Sequence, residues 1–244
     1  MTGRCDQTEG HLLDGRVRYA QPRRGFRSGI EPVLLAAAIP AQPGSRVLEG
    51  GSGAGAALLC LAARVPDVLG LGIEQDQALV ALARQNAAAN GWPGLRFMAA
   101  DIASLPALDA FDHACANPPY HGDVGTPSPD SSRRAAKRAT VGLLAVWATA
   151  LARPLRQGGT LSFILSAVSL AEAMTAFAAA GCAPTSLLPL WAKPRQAAKL
   201  LLLRGVKGSR APLRVLPGLV LHAPDGTFTP EVDAILRGGA ALDL

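Results

Sequence analysis

Cysteine, aromatic residues and long apolar runs are all scarce in this chain of 244 residues. The four cysteines, Cys5, Cys60, Cys115 and Cys182, stand far apart with no Cys-x-x-Cys and no histidine at ligand spacing, which argues against a disulfide framework and against a zinc site. The longest uncharged apolar stretch, Val141 to Ala152, is far short of the roughly 20 residues a membrane span needs. Arg4, Asp6 and Glu9 stand where a signal peptide would carry its apolar region. A cytoplasmic protein with reduced thiols, no metal and no membrane partner is therefore the expectation. Apolar residues make up 49% of the chain, too many for a disordered one. At roughly 100–200 residues per domain the length accommodates one full core or one core with an appendage.

Acidic residues are scarce in only one region. Between residues 131 and 224, Glu172 is the single acid against 13 lysines and arginines, whereas residues 1–130 hold 10 basic and 13 acidic side chains and residues 225–244 hold 1 and 4. The formal net charge of +6 is thus concentrated in one segment. A one-sign field attracts a polyanion such as nucleic acid, although the same charges also serve to keep an apolar segment in solution.

From Gly44 onward, short β-like runs alternate with helical ones, the signature of βαβ units. Strands are expected at Arg46–Glu49, Val68–Ile73, Leu95–Ala99, Asp112–Ala116 and Thr160–Ser166. Helices are expected at Ala56–Arg64, Gln77–Asn90, Ala139–Leu155 and Ser169–Ala180, with Asn90-Gly91 as a left-handed stop. Two last strands, Thr185–Trp191 and Ala198–Gly205, are joined by a proline-containing link too short for a crossover helix, so they are expected to pair as an antiparallel hairpin. His121 to Ser132 reads as a surface loop.

Glu49-Gly50-Gly51-Ser52-Gly53-Ala54-Gly55-Ala56 lies between a strand and a helix, where glycines let the backbone turn tightly and approach a ligand. Gly51-x-Gly53-x-x-Ala56 fits a dinucleotide fingerprint, with Glu74 near the place of a ribose-binding acid. Glu49, immediately before the glycines, would repel a pyrophosphate but suits the ammonium end of S-adenosylmethionine, a cofactor with a sulfonium and no phosphate. Glu74, beside Gln75, and Asp101, beside Ile102, close the next two strands, where carboxylates can accept ribose hydroxyls and an adenine amino group. A solvated or helix-capping role is the alternative for each acid taken singly.

Asn117-Pro118-Pro119-Tyr120 directly follows a strand. The prolines lack N–H groups and hold an extended turn whose carbonyls face something other than a ladder. An exocyclic amino group conjugated to a ring is a poor nucleophile. Asn117 and the Pro118 carbonyl, by accepting its two hydrogens, would orient the nitrogen, and Tyr120 would stack on the base.

These residues resemble the class I S-adenosylmethionine-dependent methyltransferases that modify amino groups, and more narrowly the bacterial tRNA(Val) adenine-N6 methyltransferase family. Gln21 to Gly29, Val33 to Ala38, Lys207 to Arg210 and Gly226 to Glu231 extend the resemblance over nearly the whole chain. It implies a Rossmann-like α/β fold with a seven-stranded mixed sheet and methylation of the adenine 3′ of the anticodon. It also implies three parts: residues 1–43 closing over the cofactor, a core of residues 44–206, and an extension of residues 207–244 packed on the core. Gln21, Arg27 and Ser28 would then lie near the cofactor or base. Two departures stand out: Glu31-Pro32 where relatives usually have Asp-Ala, and Glu49 where Asp is commoner.

The tetrapeptide specifies an amino group more than an acceptor molecule. Its bearers also act on ribosomal guanine N2 and on release-factor glutamine, and a non-catalytic RNA-binding protein on the same fold is a further alternative. The basic residues Arg133, Arg134, Lys137 and Arg138, with Lys193, Arg195, Lys199, Arg204, Lys207, Arg210 and Arg214 in the hairpin and tail, favour a tRNA backbone. Sparse aromatics leave recognition to shape and phosphates, with Trp147 and Trp191 read as packing residues and His113 as a core residue.

Overall fold

The computed structural model of the protein describes residues 7–23, 28–119 and 142–244. The loop expected at His121 to Ser132 and the start of the helix expected from Ala139 lie outside the described residues.

The chain begins with a feature absent from the sequence expectations, an antiparallel hairpin of β1 (Gln7–Leu12) and β2 (Val17–Pro22). Its turn, Leu13-Asp14-Gly15-Arg16, holds three successive residues at positive φ. Asp-Gly is a turn signal readable from sequence, and Val17 and Tyr19 alternate inward around exposed Arg18. Helix α1 (Glu31–Ala38) follows, with Pro32 tolerated at its first turn, where its missing N–H is not needed.

The central sheet runs β5 (Leu95–Ala99), β4 (Leu69–Glu74), β3 (Arg46–Gly50), β6 (Phe111–Ala116), β7 (Leu155–Ser166), β9 (Leu200–Lys207), β8 (Cys182–Trp191). Strands β3 to β7 are mutually parallel, and β9 runs antiparallel to both β7 and β8. The expected seven strands and the antiparallel pair are thus present. Two short strands, β10 (Arg214–Val215) and β11 (Leu219–Val220), were not expected and add to β8 in parallel. Helices α2 (Ala56–Arg64) and α3 (Gln77–Ala89) join α1 on one face; α4 (Leu143–Ala152) and α5 (Leu170–Ala179) cover the other. With both faces covered, Val47 and Leu48 of β3 are fully buried on opposite sides, as a central parallel strand requires. No helix among the described residues is long and apolar enough to cross a membrane.

Helix α4 ends at Ala152, three residues before the expected end, because Pro154 has no N–H to donate to the next helical carbonyl. Lys207 Nζ satisfies the carbonyls released there, donating to Ala152, Arg153 and Leu155 at 2.8, 3.1 and 2.7 Å. Arg204 is also taken out of the basic cluster read from the sequence. It is buried within β9, donates to the carbonyls of Ala38 and of Leu244, and burial lowers its pKa to about 10. Arg64 donates to Ala36 and Ile39, and the Leu242 N–H to Ala37, so the C-terminal carbonyls of α1 are met by donors from elsewhere in the chain. The tail beyond β11, including α6 (Pro230–Leu236), packs on α1, and Arg16 of the hairpin turn donates to the Arg237 carbonyl.

Arg204→Ala is expected to lower unfolding free energy by about 2–4 kcal/mol, because the buried Ala38 carbonyl and the half-buried Leu244 oxygen lose a charged donor. The urea midpoint, with an unchanged denaturant slope, measures this; a midpoint equal to wild type would refute the role.

Candidate active site

Strand order reverses between β3 and β6, and a crevice opens at the carboxyl ends of the strands flanking such a reversal. A cavity of about 830 Å³ lies there, within the size range of small-molecule sites. The ends of β3, β4, β5 and β6 contribute Glu49, Glu74, Asp101 and Asn117, and α4 closes one side with Trp147. Tyr19 and Ser28 close another, the Tyr19 hydroxyl lying 2.8 Å from Ser28 Oγ.

The glycine loop turns between β3 and α2 through Gly51, Gly53 and Gly55, all at positive φ. At Gly51 an added Cβ would lie 2.7 Å from the Trp147 ring, so the loop is seated against α4 with no room for a side chain. Glu74 holds the other side of the loop. Its Oε2 accepts the Gly53 N–H at 3.0 Å and its Oε1 the Asp76 N–H at 3.0 Å, leaving a second lone pair on each oxygen. Asp101 is exposed at the rim and caps a short turn through the Ala103 N–H at 2.9 Å. For these two acids the capping role and the ligand-facing position coexist.

Glu49 is buried, and burial, with a smaller contribution from Glu74, pushes its pKa up to about 8 against a lowering backbone hydrogen bond from Leu58 in the first turn of α2. Its Oε2 accepts no hydrogen bond within the described residues, and neither does Asn117 Oδ1; both atoms are buried in cavity-lining residues. Buried acceptors without partners are rare enough to require an explanation. An ammonium group at Glu49 and an amino group at Asn117 would supply the missing donors, so these residues fit S-adenosylmethionine beside an amino acceptor.

Gly51, Gly53, Gln75 and Ile102 line the cavity as well, together with Pro118 and Pro119. Gln21 does not: its Oε1 accepts the Ser28 N–H at 3.2 Å, which folds the segment after β2 back on itself. Arg27 and Tyr120 lie outside the described residues. Tyr19, Pro32 and Trp147 are cavity residues that sequence reading passed over as binding positions, although the Asp14-Gly15 turn signalled the hairpin that carries Tyr19. His113 bonds Thr160 Oγ1 at 2.9 Å, and burial lowers its pKa to about 4, consistent with a neutral core residue. Among the described residues no group of histidine, cysteine and carboxylate side chains is arranged to hold a metal ion.

Residues 32–168 match the family model of the methyltransferase small domain. The chain belongs to that family. Family and fold both imply methyl transfer with S-adenosylmethionine as donor. A predicted O-methyltransferase of Agrobacterium tumefaciens is similar in structure, with a TM-score of 0.72 and 26% identity, covering 88% of this chain and 99% of the other. A precorrin-6y C5,15-methyltransferase of Geobacter metallireducens shares the fold at a TM-score of 0.55 and 12% identity, covering 78% and 94%. In sequence, the chain is 32% identical to the tRNA1(Val) (adenine(37)-N6)-methyltransferase of Bacteroides thetaiotaomicron over 46% of this chain and 48% of that one. It is 34% identical to a 23S rRNA (uracil(1939)-C(5))-methyltransferase of Alkalilimnicola ehrlichii over 44% and 28%. The chain therefore spans less than half the length of either curated relative.

The folded protein holds the Glu49 proton to about pH 8, whereas the unfolded chain releases it near pH 4.5. The stability this contributes is complete below pH 4.5 and is lost as pH rises toward 8. Glu49→Gln is expected to remove that decline, so that the ligand-free variant gains melting temperature over wild type at pH 8 but not at pH 4.5. Parallel pH dependence in both proteins would show that Glu49 is not the titrating group.

Proposed function

We propose that the cavity binds S-adenosylmethionine and that the protein transfers its methyl group to the exocyclic N6 of an adenine in the anticodon loop of a tRNA. The uncompensated Asn117 oxygen at the end of β6, beside the uncompensated Glu49 oxygen at the end of β3, carries this reading.

In the bound state Glu49 meets the cofactor ammonium, Glu74 accepts from the ribose, and Asp101, beside Gln75 and Ile102, lies by the adenine. S-adenosylmethionine supplies an electrophilic methyl group on its sulfonium. Asn117 Oδ1 and the Pro118 carbonyl accept the two hydrogens of the acceptor nitrogen and aim its lone pair, and Tyr120 stacks on the base. No strong base is needed before attack, because the nitrogen becomes acidic only as the bond to carbon forms; orientation dominates. Residues 1–43 close over the cofactor, with Ser28 at the cavity wall, Gln21 holding the Ser28 backbone and Arg27 beside it in sequence; residues 44–206 form the core, and residues 207–244 brace it.

A carbon acceptor is disfavoured by the same site. Uracil C5 has no lone pair and is activated by covalent addition of a thiolate to the neighbouring carbon. The described cysteines, Cys60, Cys115 and Cys182, are all buried, and burial pushes each thiol upward, Cys60 to about 12 and Cys182 to about 11.

RNA is supported by charge placement and by the named activity of the Bacteroides relative. Lys193 and Arg195 are exposed on the turn between β8 and β9. That turn lies at the carboxyl end of β8, on the same edge of the sheet as Asn117. Arg133, Arg134, Lys137 and Arg138 lie outside the described residues; in sequence they follow the tetrapeptide after twelve residues, and their charge supports the same reading.

Incubation with total tRNA and methyl-labelled S-adenosylmethionine, followed by nucleoside mass spectrometry, is expected to place label in N6-methyladenosine. Label in guanosine, in a pyrimidine or only in protein would overturn the acceptor. Asn117→Ala is expected to lower turnover at least about 100-fold while S-adenosylhomocysteine still binds in calorimetry. Undiminished turnover would refute the role of Asn117. Lys193→Ala with Arg195→Ala is expected to weaken tRNA binding and to flatten its log–log salt slope by about 0.7 for each phosphate that is no longer neutralised. An unchanged slope would remove that turn from the RNA path.

A further inference from the structure

The β1–β2 hairpin is attached to helix α3 by side chains that imitate a strand. Asn86 Oδ1 accepts the Ala20 N–H at 2.9 Å while its Nδ2 donates to the Ala20 carbonyl at 2.9 Å. Asn90 repeats the pattern at Arg18, accepting at 2.8 Å and donating at 2.7 Å. Such a two-way exchange is what a hydrogen-bonded pair makes in an antiparallel ladder. The spacing permits it: four residues of helix advance about 6 Å and two residues of strand about 6.8 Å, so carboxamides one turn apart reach alternate residues of β2.

Asn86 makes one contact that Asn90 does not. Its Nδ2 also donates to the carbonyl of Ala54 at 3.0 Å, within the glycine loop. Asn86 is buried, so water does not readily replace it at either backbone segment. Both segments line the cavity: β2 through Tyr19, and the loop through Gly51, Gly53 and Ala54.

We propose that Asn86 is a positioning residue of the cofactor site, one carboxamide that locks the hairpin wall of the cavity to its glycine loop so that the two move together around the ligand. The proposal rests on the cavity being the S-adenosylmethionine site. Asn90 serves as the matched comparison, since it secures the same hairpin without touching the loop.

The test combines calorimetric titration of S-adenosylhomocysteine with amide hydrogen exchange of residues 17–22 and 51–55, in wild type, Asn86→Ala and Asn90→Ala. Asn90→Ala is expected to speed exchange in the hairpin alone and to change Kd by less than about threefold, whereas Asn86→Ala speeds exchange in both segments of the ligand-free protein and raises Kd about tenfold or more. Asn86→Ser, which leaves a smaller hole, takes its place if Asn86→Ala does not fold. In wild type the ligand is expected to protect both segments together. Equal changes in Kd for the two positions, unaltered exchange at residues 51–55 on losing Asn86, or protection of one segment without the other overturns the proposal. Failure of wild type to bind S-adenosylhomocysteine would instead overturn the reading of the cavity itself.

Discussion

Burying a carboxyl group without a cation leaves two outcomes: it keeps its proton, or a ligand brings the compensating charge. Glu49 is in that position at the centre of the sheet, and much of the surrounding structure serves to keep it there. Trp147 and the glycine loop exclude water on one side. Tyr19, buried on the hairpin, lies on another, and its own hydroxyl is pushed up by desolvation and by the nearby Glu49 charge. On the proposed reading, such a site gives up folding stability at neutral and higher pH in return for a preformed ammonium receptor, a common relation between stability and binding. Asn117 presents the neutral counterpart, a buried oxygen that folding has desolvated without supplying a donor.

The segments on either side of the core are joined to each other as well as to the sheet. Arg16 of the hairpin turn reaches the carbonyl of Arg237 at 2.9 Å, and Arg204 ties the C-terminal residue to the end of α1. Helix α1 in turn packs on α2, whose first turn approaches Glu49. The tail therefore bears on the cavity through α1, whose Pro32 lines it, rather than through a lining residue of its own. This accounts for part of the basic character of the C-terminal half: Arg204 and Lys207 are spent on backbone carbonyls, while Lys193 and Arg195 stay in solvent on the edge that carries Asn117.

Alternation of apolar runs with helical periodicity made the parallel sheet readable, because strands covered on both faces must be apolar throughout and their crossovers must be long. The antiparallel last pair followed from a link too short to cross over. The same local logic passed over the N-terminal hairpin, although Asp14-Gly15 and the alternation of Val17 and Tyr19 announce it; what no pattern in β1 or β2 announces is its attachment to a helix through two asparagine carboxamides. It also took Arg204 for a surface cation, because burial of an arginine depends on carbonyls that residues 38 and 244 bring from far away in the chain.

The residue types at the strand ends, Glu49, Glu74, Asp101 and Asn117 with its prolines, were determined by the sequence alone, since each follows a strand and chemistry restricts what such a group can bind. Which of them is left uncompensated was decided only by the tertiary structure. Glu74 finds backbone donors two residues on at Asp76 and, across α2, at Gly53, and Asp101 finds one two residues on at Ala103, whereas Glu49 Oε2 and Asn117 Oδ1 are buried by elements distant in sequence that bring them no donor. Local sequence determines whether a group can accept a hydrogen bond; only packing at long range determines whether water or protein is there to donate one.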